Sequence, residues 1–297
     1  MSPLTETTAE LLLMRRAFVP GIPGFVGARI GLAGTPTVPD GRYELRHGHL
    51  SVRDGHARVS VPPSPGLDVA ISRAGTDLRL AGALVTPPTR GDGPATTGLQ
   101  VTLDAGTAGR GPLNYHYRWA LAHRLAPVLH AIFGAPDTLP PAPVGAEPRT
   151  AWAAAALDAP RPDGTTLRDW IRTAAGPTEA ELTAYVEDLR LPVRARGHLE
   201  IDVAGPQRAD DWVPALAVTA TLFANPRQTY AATGALPPGA WRRARTIGLA
   251  DADLRHAARQ CLFTAYAGLA WHSTTRPVRD AVARTVERAA TTPRRVR

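Results

Sequence analysis

The sequence contains no lysine, so all 34 of its basic residues are arginines. Mechanisms that need a Schiff-base lysine, a lysine general base or a P-loop lysine are therefore excluded. The single cysteine, Cys261, excludes disulfides within the chain, and its apolar surroundings, QCLFTAY, favour a small buried residue over a nucleophile. The cationic groups that remain are guanidinium groups, which suit carboxylates and phosphates.

Long hydrophobic runs are missing as well. No stretch approaches the roughly 20 apolar residues of a membrane helix, and prolines, glycines and Arg29 interrupt the apolar segment near the N-terminus that a signal peptide would need. The net charge is +8, but the arginines are scattered among acidic residues, which argues against a nucleic-acid surface. We therefore expect a cytoplasmic protein that binds neither nucleic acid nor a membrane.

The best candidate for a site is the stretch PVRARGHLEIDVAGPQRADDW, residues 192–212. Apolar and polar residues alternate in it, so His198, Glu200 and Asp202 share one face of a strand. Two carboxylates beside an imidazole indicate general acid–base catalysis, with one carboxyl pKa raised if the pair is desolvated. Arg194 and Arg196 lead into the strand and are expected to hold a substrate carboxylate. The residues leave open the alternative that this face only forms internal salt bridges with those arginines.

The order of predicted elements indicates the fold class. Short alternating segments separated by turn residues come first, and long helical patterns follow without a regular βαβ alternation, which is typical of an α+β fold. We expect a single domain over residues 1–297, with linkers near 86–97 and 134–148. The strands are predicted at 25–33, 43–45, 49–52, 57–61, 67–71, 78–85 and 98–104, and the main helices at 5–18, 113–133, 149–157, 213–223, 252–271 and 278–290.

The predicted strand at 98–104 also has one polar face, which carries Gln100 and Asp104. If it lies beside the strand of Glu200, the two polar faces line a cleft or face solvent. We therefore count Gln100 and Asp104 as candidate substrate-binding residues.

Three histidines, His116, His123 and His130, lie seven residues apart on the helix predicted at 113–133. Seven helical residues rise about 10 Å, which is too far for ligands of one metal ion. The spacing predicts a half-buried helix face, and we expect no metal site.

Several segments resemble the glutamate–cysteine ligase superfamily, in the actinobacterial branch that serves ergothioneine biosynthesis. They are GLQVTLDAG at 98–106, YRWALAHRLAPVLHAIFGAP at 117–136, LPVRARGHLEIDVAGPQRADDWVPALAVTATLFANP at 191–226 and GLADADLRHAARQCL at 248–262. The resemblance implies a glutamine-synthetase-like curved antiparallel sheet with helices packed on its outer face. It also implies that ATP and Mg²⁺ activate the γ-carboxylate of glutamate, which the amine of cysteine then attacks.

The resemblance assigns site roles to Gln100, Arg194, Arg196, Glu200 and Gln207, with Glu200 at the position of a metal-binding glutamate. Other positions depart from the family pattern. Arg29 and Gly31 stand where glutamates are expected, Asp202 stands where an arginine is expected, and Glu44 and Ser51 stand at the two acids of the following hairpin. We therefore expect a shortened, diverged member that uses no cofactor, neither ATP nor Mg²⁺.

These observations predict a biosynthetic enzyme of secondary metabolism that acts on an amino-acid- or thiol-derived small molecule. Two alternatives stay open. One is a non-catalytic pseudoenzyme that binds a ligand or a partner subunit, and the other is an ATP-dependent γ-glutamyl–cysteine ligase. Whether the chain forms a homo-oligomer or works with a partner enzyme is also left open.

Overall fold

The computed structural model describes residues 3–21, 23–87, 96–134, 147–161, 163–189, 191–234, 236–270 and 274–291. Most of the two predicted linkers, at 86–97 and 134–148, lies outside these ranges, and the single-domain organisation stays a prediction. Helices and antiparallel strands are mixed in the α+β manner that the sequence predicts.

Seven strands form one sheet in the order β3-β4-β5-β1-β7-β9-β8, and every neighbouring pair is antiparallel. A separate two-stranded ladder joins β2 to β6. The strands are β1 (Phe25–Leu32), β2 (Thr35–Pro36), β3 (Gly41–Glu44), β4 (His49–Arg53), β5 (His56–Pro65), β6 (Val85–Thr86), β7 (Thr96–Leu103), β8 (Val193–Ala195) and β9 (Leu199–Ala204).

The helices follow mostly in the second half of the chain. They are α1 (Glu6–Ala17), α2 (Leu67–Gly82), α3 (Tyr115–Phe133), α4 (Pro148–Asp158), α5 (Leu167–Ile171), α6 (Glu179–Asp188), α7 (Trp212–Ala224), α8 (Pro226–Ala232), α9 (Ala240–Thr246), α10 (Ala252–Leu269) and α11 (Arg276–Thr291).

One face of the sheet is apolar and is covered by helices. Ile30, Leu50, Val59, Leu99 and Ile201 are buried on it, because alternate residues of each strand point to the same side. Helix α2 packs on β1 and β5, α7 on β7, and α3 on β9. The opposite face is therefore left to the polar residues of the same strands.

The strands predicted at 67–71 and 78–85 are wrong, because most of this region is helix α2. Its buried side consists mainly of Leu67, Ala70, Ala74 and Ala81. Since alanine contributes little to a hydrophobic pattern, the helical period is weak in the sequence. Only the short strand β6 forms near the end of the region.

None of the helices in the described ranges combines the length and the apolarity that a membrane span requires.

Candidate functional site

A row of polar residues crosses five neighbouring strands on the face opposite the helices. In the strand register Glu44 pairs with His49, His49 with Ser60, Ser60 with Arg29, and Arg29 with Gln100. Register partners place their side chains on the same face of a sheet. The sheet therefore presents one continuous polar surface from β3 to β7.

The hairpin of β8 and β9 extends this polar surface. Gly197, with φ at +79°, lies in the turn, and a backbone N–H of Arg196 donates to the carbonyl of His198 at 3.0 Å. A positive φ is reached by glycine at little steric cost. The turn pairs Arg194 directly with Glu200 in the register, so the arginine is a cross-strand neighbour rather than part of a lead-in segment.

Glu200 lies at the centre of a buried ion-pair cluster and is only 1% exposed. Arg194 Nε approaches Glu200 Oε2 at 2.9 Å, and Arg196 Nη2 approaches Oε1 at 2.8 Å. His198 Nε2 lies 3.1 Å from the same Oε1. Oε1 therefore forms hydrogen bonds with Arg196 and His198, whereas the buried Oε2 lies within ion-pair distance of Arg194 but makes no hydrogen bond. This is the internal salt-bridge arrangement that the sequence left open.

The protonation of Glu200 follows from these contacts. Burial alone raises the pKa of this carboxyl, but the hydrogen bond with His198 and the charges of Arg194 and Arg196 hold its pKa well below the ordinary value. Glu200 is therefore an ionised carboxylate throughout the neutral range. The expectation of a raised pKa at this position is wrong for Glu200, because two guanidinium groups outweigh the desolvation.

A cleft with a volume of about 420 Å³ opens over the polar surface. Residues of β1, β3, β4, β5, β7 and the β8–β9 hairpin line it, together with the turn between β3 and β4. The charged and imidazole residues of its lining are Arg29, Arg42, Glu44, Arg46, His47, His49, Arg196, His198 and Glu200. Four arginines against two glutamates give the cleft a formal excess of two positive charges.

Arg29 contributes one of these excess charges, because no ion pair or hydrogen bond of its side chain occurs within the described residues. The side chain is half-buried on the central strand β1. Desolvation lowers its pKa first, and the nearby charges of Arg196, Arg194 and Arg58 lower it further against the opposing effect of Glu200. Within the described residues, Arg29 is thus a guanidinium group without an ion-pair partner.

A side chain of helix α2 contacts the backbone of the turn between β3 and β4. Both carboxylate oxygens of the buried Asp77 lie 3.2 Å from the backbone N–H of His47, which donates to them. This contact holds the backbone beside Arg46 at the rim of the cleft. Arg46 itself is exposed.

Two further residues from the predicted site adjoin the cleft without lining it. Gln100 Oε1 accepts a hydrogen bond from Arg194 Nη2, and Asp202 Oδ2 lies 4.0 Å from the same nitrogen. Arg194 also donates to the carbonyl of Leu189. Gln100 and Asp202 therefore support Arg194, and a catalytic role for Asp202 stays a prediction.

Two predicted substrate-binding residues lie elsewhere and have structural partners. Asp104 Oδ1 lies 3.3 Å from Nη2 of the buried Arg118, and its Oδ2 accepts from the backbone N–H of Gly24 at 3.0 Å. The amide of Gln207 donates to the carbonyls of Phe133 and Gly205, each at 2.9 Å. Neither residue lines the cleft, so the structure offers no observation in favour of substrate contact by either.

The three spaced histidines of α3 do not meet at a site. His123 and His130 are buried, and burial lowers the pKa of His123 to about 3 and, with the charge of Arg245, that of His130 to about 4. His116 lines a separate shallow pocket with Tyr117 and Arg227. The predicted half-buried stripe is therefore a mostly buried helix face, because α3 packs against helices as well as the sheet.

Cys261 is buried on α10, as its apolar surroundings predict. Burial raises the pKa of its thiol to about 12 against a small opposing effect of Arg124. A protonated, inaccessible thiol is a packing residue and not a nucleophile.

Arg29, Arg46 and His49 all line the cleft, but they are not among the site residues that the sequence predicts. The signal for Arg29 was present, because it is a charged residue at a polar position of an otherwise apolar strand, FVGARIGL. The other two are placed at the cleft by the β3–β4 pairing, which no local pattern reveals.

Comparison with known proteins gives one informative relative. The sequence is 31% identical over 211 residues to the glutamate–cysteine ligase EgtA of Mycolicibacterium smegmatis. The matched region is 57% of this chain and 49% of the relative, so the chain spans about half the length of the curated protein that it matches. No family model matches the sequence.

A solved structure is similar at a greater distance. It is the crystal structure of the complex between the prokaryotic ubiquitin-like protein Pup and its ligase PafA, with a TM-score of 0.42 and 11% sequence identity. The match covers 90% of this chain and 64% of the other chain.

The similarity to the glutamate–cysteine ligase corrects the expectation that no cofactor is used. The relative is a glutamate–cysteine ligase, a kind of enzyme that depends on ATP and Mg²⁺ for bond formation, so the finding points to both.

The residues of the cleft do not fit ATP and Mg²⁺ equally well. The excess guanidinium charge suits the phosphates of a nucleotide. A magnesium ion prefers free carboxylate oxygens; Oε1 of Glu200 already accepts from Arg196 and contacts His198, while the buried Oε2 makes no hydrogen bond and lies 2.9 Å from Arg194 Nε. The described part of the chain contains no cluster of three or more His, Cys, Asp or Glu side chains that could hold a metal ion. The lining of the cleft therefore fits the phosphates of a nucleotide better than a magnesium ion, to which Glu200 offers only Oε2.

Proposed function

We propose that this chain is a diverged member of the glutamate–cysteine ligase superfamily, to one of whose enzymes it is similar, and that its cleft binds a carboxylate-bearing, amino-acid-derived molecule for ATP-driven condensation with an amine. The observation that supports this most directly is the positively charged cleft over the polar sheet face, with Arg29 and Arg196 in its lining. Guanidinium groups bind carboxylates and phosphates through paired, charge-assisted hydrogen bonds.

The buried cluster around Glu200 supplies the positioning in this proposal. Glu200 orients Arg196 and His198 through Oε1, and Arg194 forms an ion pair with Oε2. Arg196 remains partly accessible at the cleft and orients the substrate carboxylate. ATP, when bound, supplies the activation of that carboxylate.

His198 is the residue that we assign to proton transfer. Its side chain is 33% exposed and lines the cleft while Nε2 contacts Glu200. An imidazole that is oriented by a carboxylate can accept a proton from an attacking amine. A panel of amines identifies the amine that reacts.

A direct assay tests this proposal. The purified chain is incubated with ATP, Mg²⁺, glutamate and a panel of amines that includes cysteine, and phosphate release and condensed products are measured, the latter by mass spectrometry. We expect a product whose formation requires ATP, and a loss of at least tenfold in rate with His198→Gln. The matched control is His56→Gln, which replaces an exposed histidine outside the cleft lining. Equal rates for both variants would remove His198 from the mechanism.

A second candidate function is a non-catalytic, ligand-binding member of the superfamily. The observation that favours it is the buried ion-pair cluster of Glu200 with Arg194 and Arg196, in which the charge of this carboxylate is balanced inside the protein. In that case the chain binds an anionic ligand stoichiometrically but releases no product with any amine in the panel.

A further inference from the structure

The charges that line the cleft are not evenly neutralised. Glu44 lies 3.1 Å from Arg42, and Glu200 lies 2.8 Å from Arg196. After these pairs, the described lining retains two guanidinium groups without an acidic partner, those of Arg29 and Arg46. A ligand that neutralises the cleft must therefore bring about two negative charges.

The two unneutralised groups lie at different depths. Arg29 is half-buried on the central strand, with Ser60 and Gln100 as its register neighbours. Arg46 is exposed in the turn between β3 and β4, whose backbone is held by Asp77. One is thus on the floor of the cleft and the other at its rim, within one volume of about 420 Å³.

The floor position is the more selective of the two. Arg29 is partly removed from water, and the charges around it are those of Glu200 and of three arginines, Arg196, Arg194 and Arg58. Such a guanidinium group gains strongly from a direct anionic partner, since without one it is a desolvated charge with no ion pair. An exposed guanidinium is already solvated, so it contributes less and is more sensitive to salt.

We propose that the cleft selects small dianions, with Arg29 on the floor and Arg46 at the rim each balancing one of the two negative charges. The inference deepens the proposed function, because it names the charge that the substrate must carry. Dicarboxylates and phosphate monoesters share this chemistry.

Isothermal titration at low ionic strength tests the inference without any turnover. The probes are glutarate, its monoamide and inorganic phosphate, and the proteins are the unmodified chain, Arg29→Gln, Arg46→Gln and Arg259→Gln. The last variant removes the same charge from an exposed position on α10 and is the matched control.

The inference predicts one site per chain, with a dianion bound at least tenfold more tightly than the monoamide. Arg29→Gln weakens dianion binding at least tenfold and abolishes the preference over the monoamide. Arg46→Gln weakens it severalfold, and Arg259→Gln leaves the affinity within twofold. Binding of glutarate alone identifies a dicarboxylate site, and binding of phosphate alone identifies a phosphate-ester site.

Equal affinity for glutarate and its monoamide without phosphate binding would overturn the inference, as would unchanged binding by Arg29→Gln. Far-UV circular dichroism of each variant shows whether it is folded. Failure of the ligase assay with intact dianion selectivity refutes the proposed function alone, while ligation without dianion selectivity refutes this inference alone.

Discussion

Gln100 Oε1 accepts a hydrogen bond from Arg194 and not from Arg29, although Arg29 is its register partner on the neighbouring strand. This choice ties Gln100 into the buried cluster around Glu200. It leaves the guanidinium group of Arg29 directed at the cleft without a hydrogen-bond acceptor among the described residues. The most central cation of the sheet is therefore available to a ligand.

Arg29→Gln is expected to increase the stability of the ligand-free protein by about 1 kcal/mol, because it removes a desolvated cation beside Arg194, Arg196 and Arg58. Urea unfolding at low ionic strength measures the change, and Arg259→Gln is the control for loss of one positive charge. A clear loss of stability would mean that Arg29 has a structural role that the contacts do not show.

Arg194→Gln is expected to destabilise the protein by about 3 kcal/mol. It removes one of two cations from the buried carboxylate of Glu200, and it removes the hydrogen-bond donor of Gln100 Oε1. The control is Arg53→Gln, whose ion pair with Asp188 has side chains that are 72% and 61% exposed. Exposed pairs contribute at most about 1 kcal/mol. Similar losses for the two variants, measured by urea unfolding, would contradict the central role of the Glu200 cluster.

His123 is expected to make stability depend on pH. The pKa of His123 is about 3 in the folded protein against an ordinary value of 6.5. Between these two pH values the unfolded chain is protonated at His123 and the folded chain is not. The contribution of His123 to the free energy of unfolding is fully present above pH 6.5. It decreases as the pH falls below that value, by about 2 kcal/mol between pH 7 and pH 5.

His123→Leu should remove that loss, so the stability difference between pH 7 and pH 5 becomes about 2 kcal/mol smaller than in the unmodified protein. The exposed His256, changed to leucine, is the control. Urea unfolding at pH 7 and pH 5 measures the free energy of unfolding of each variant. An unchanged pH dependence in His123→Leu would show that the buried ring is protonated in the folded state at pH 5.

Gly197→Ala is expected to cost about 1 kcal/mol or more of stability, because φ is +79° at this turn. It should also weaken anion binding, since Arg196 and His198 flank the turn. Gly82→Ala is the control: it lies at the end of α2 in open space and should be neutral or slightly stabilising. Thermal unfolding and titration with glutarate measure the two effects, and a neutral Gly197→Ala would refute the assigned turn geometry.

The sequence was most informative where polar and apolar residues alternate clearly. The strands around Gln100 and Glu200 and the helix predicted at 113–133 are confirmed, because each has a strong local pattern. Helix α2 was missed, since its buried side is built largely from alanines while Val69 and Leu80 are exposed.

The site was predictable in part. One strand's alternation places His198 and Glu200 on the polar face, but only the hairpin pairing shows that Arg194 and Arg196 neutralise Glu200. The role of Arg29 depends on which strands are neighbours in the sheet, and that order, with β1 between β5 and β7, is not encoded in any local segment.

The shared carboxylate of Glu200 also governs how this region tolerates mutation. Substituting Glu200 alone leaves Arg194 and Arg196 to repel each other below Arg29, whereas substituting one arginine together with Glu200 restores much of the balance of charge. We expect strong epistasis: in a library that varies these four positions jointly, folded variants will be found mainly among combinations that change charge in compensating pairs.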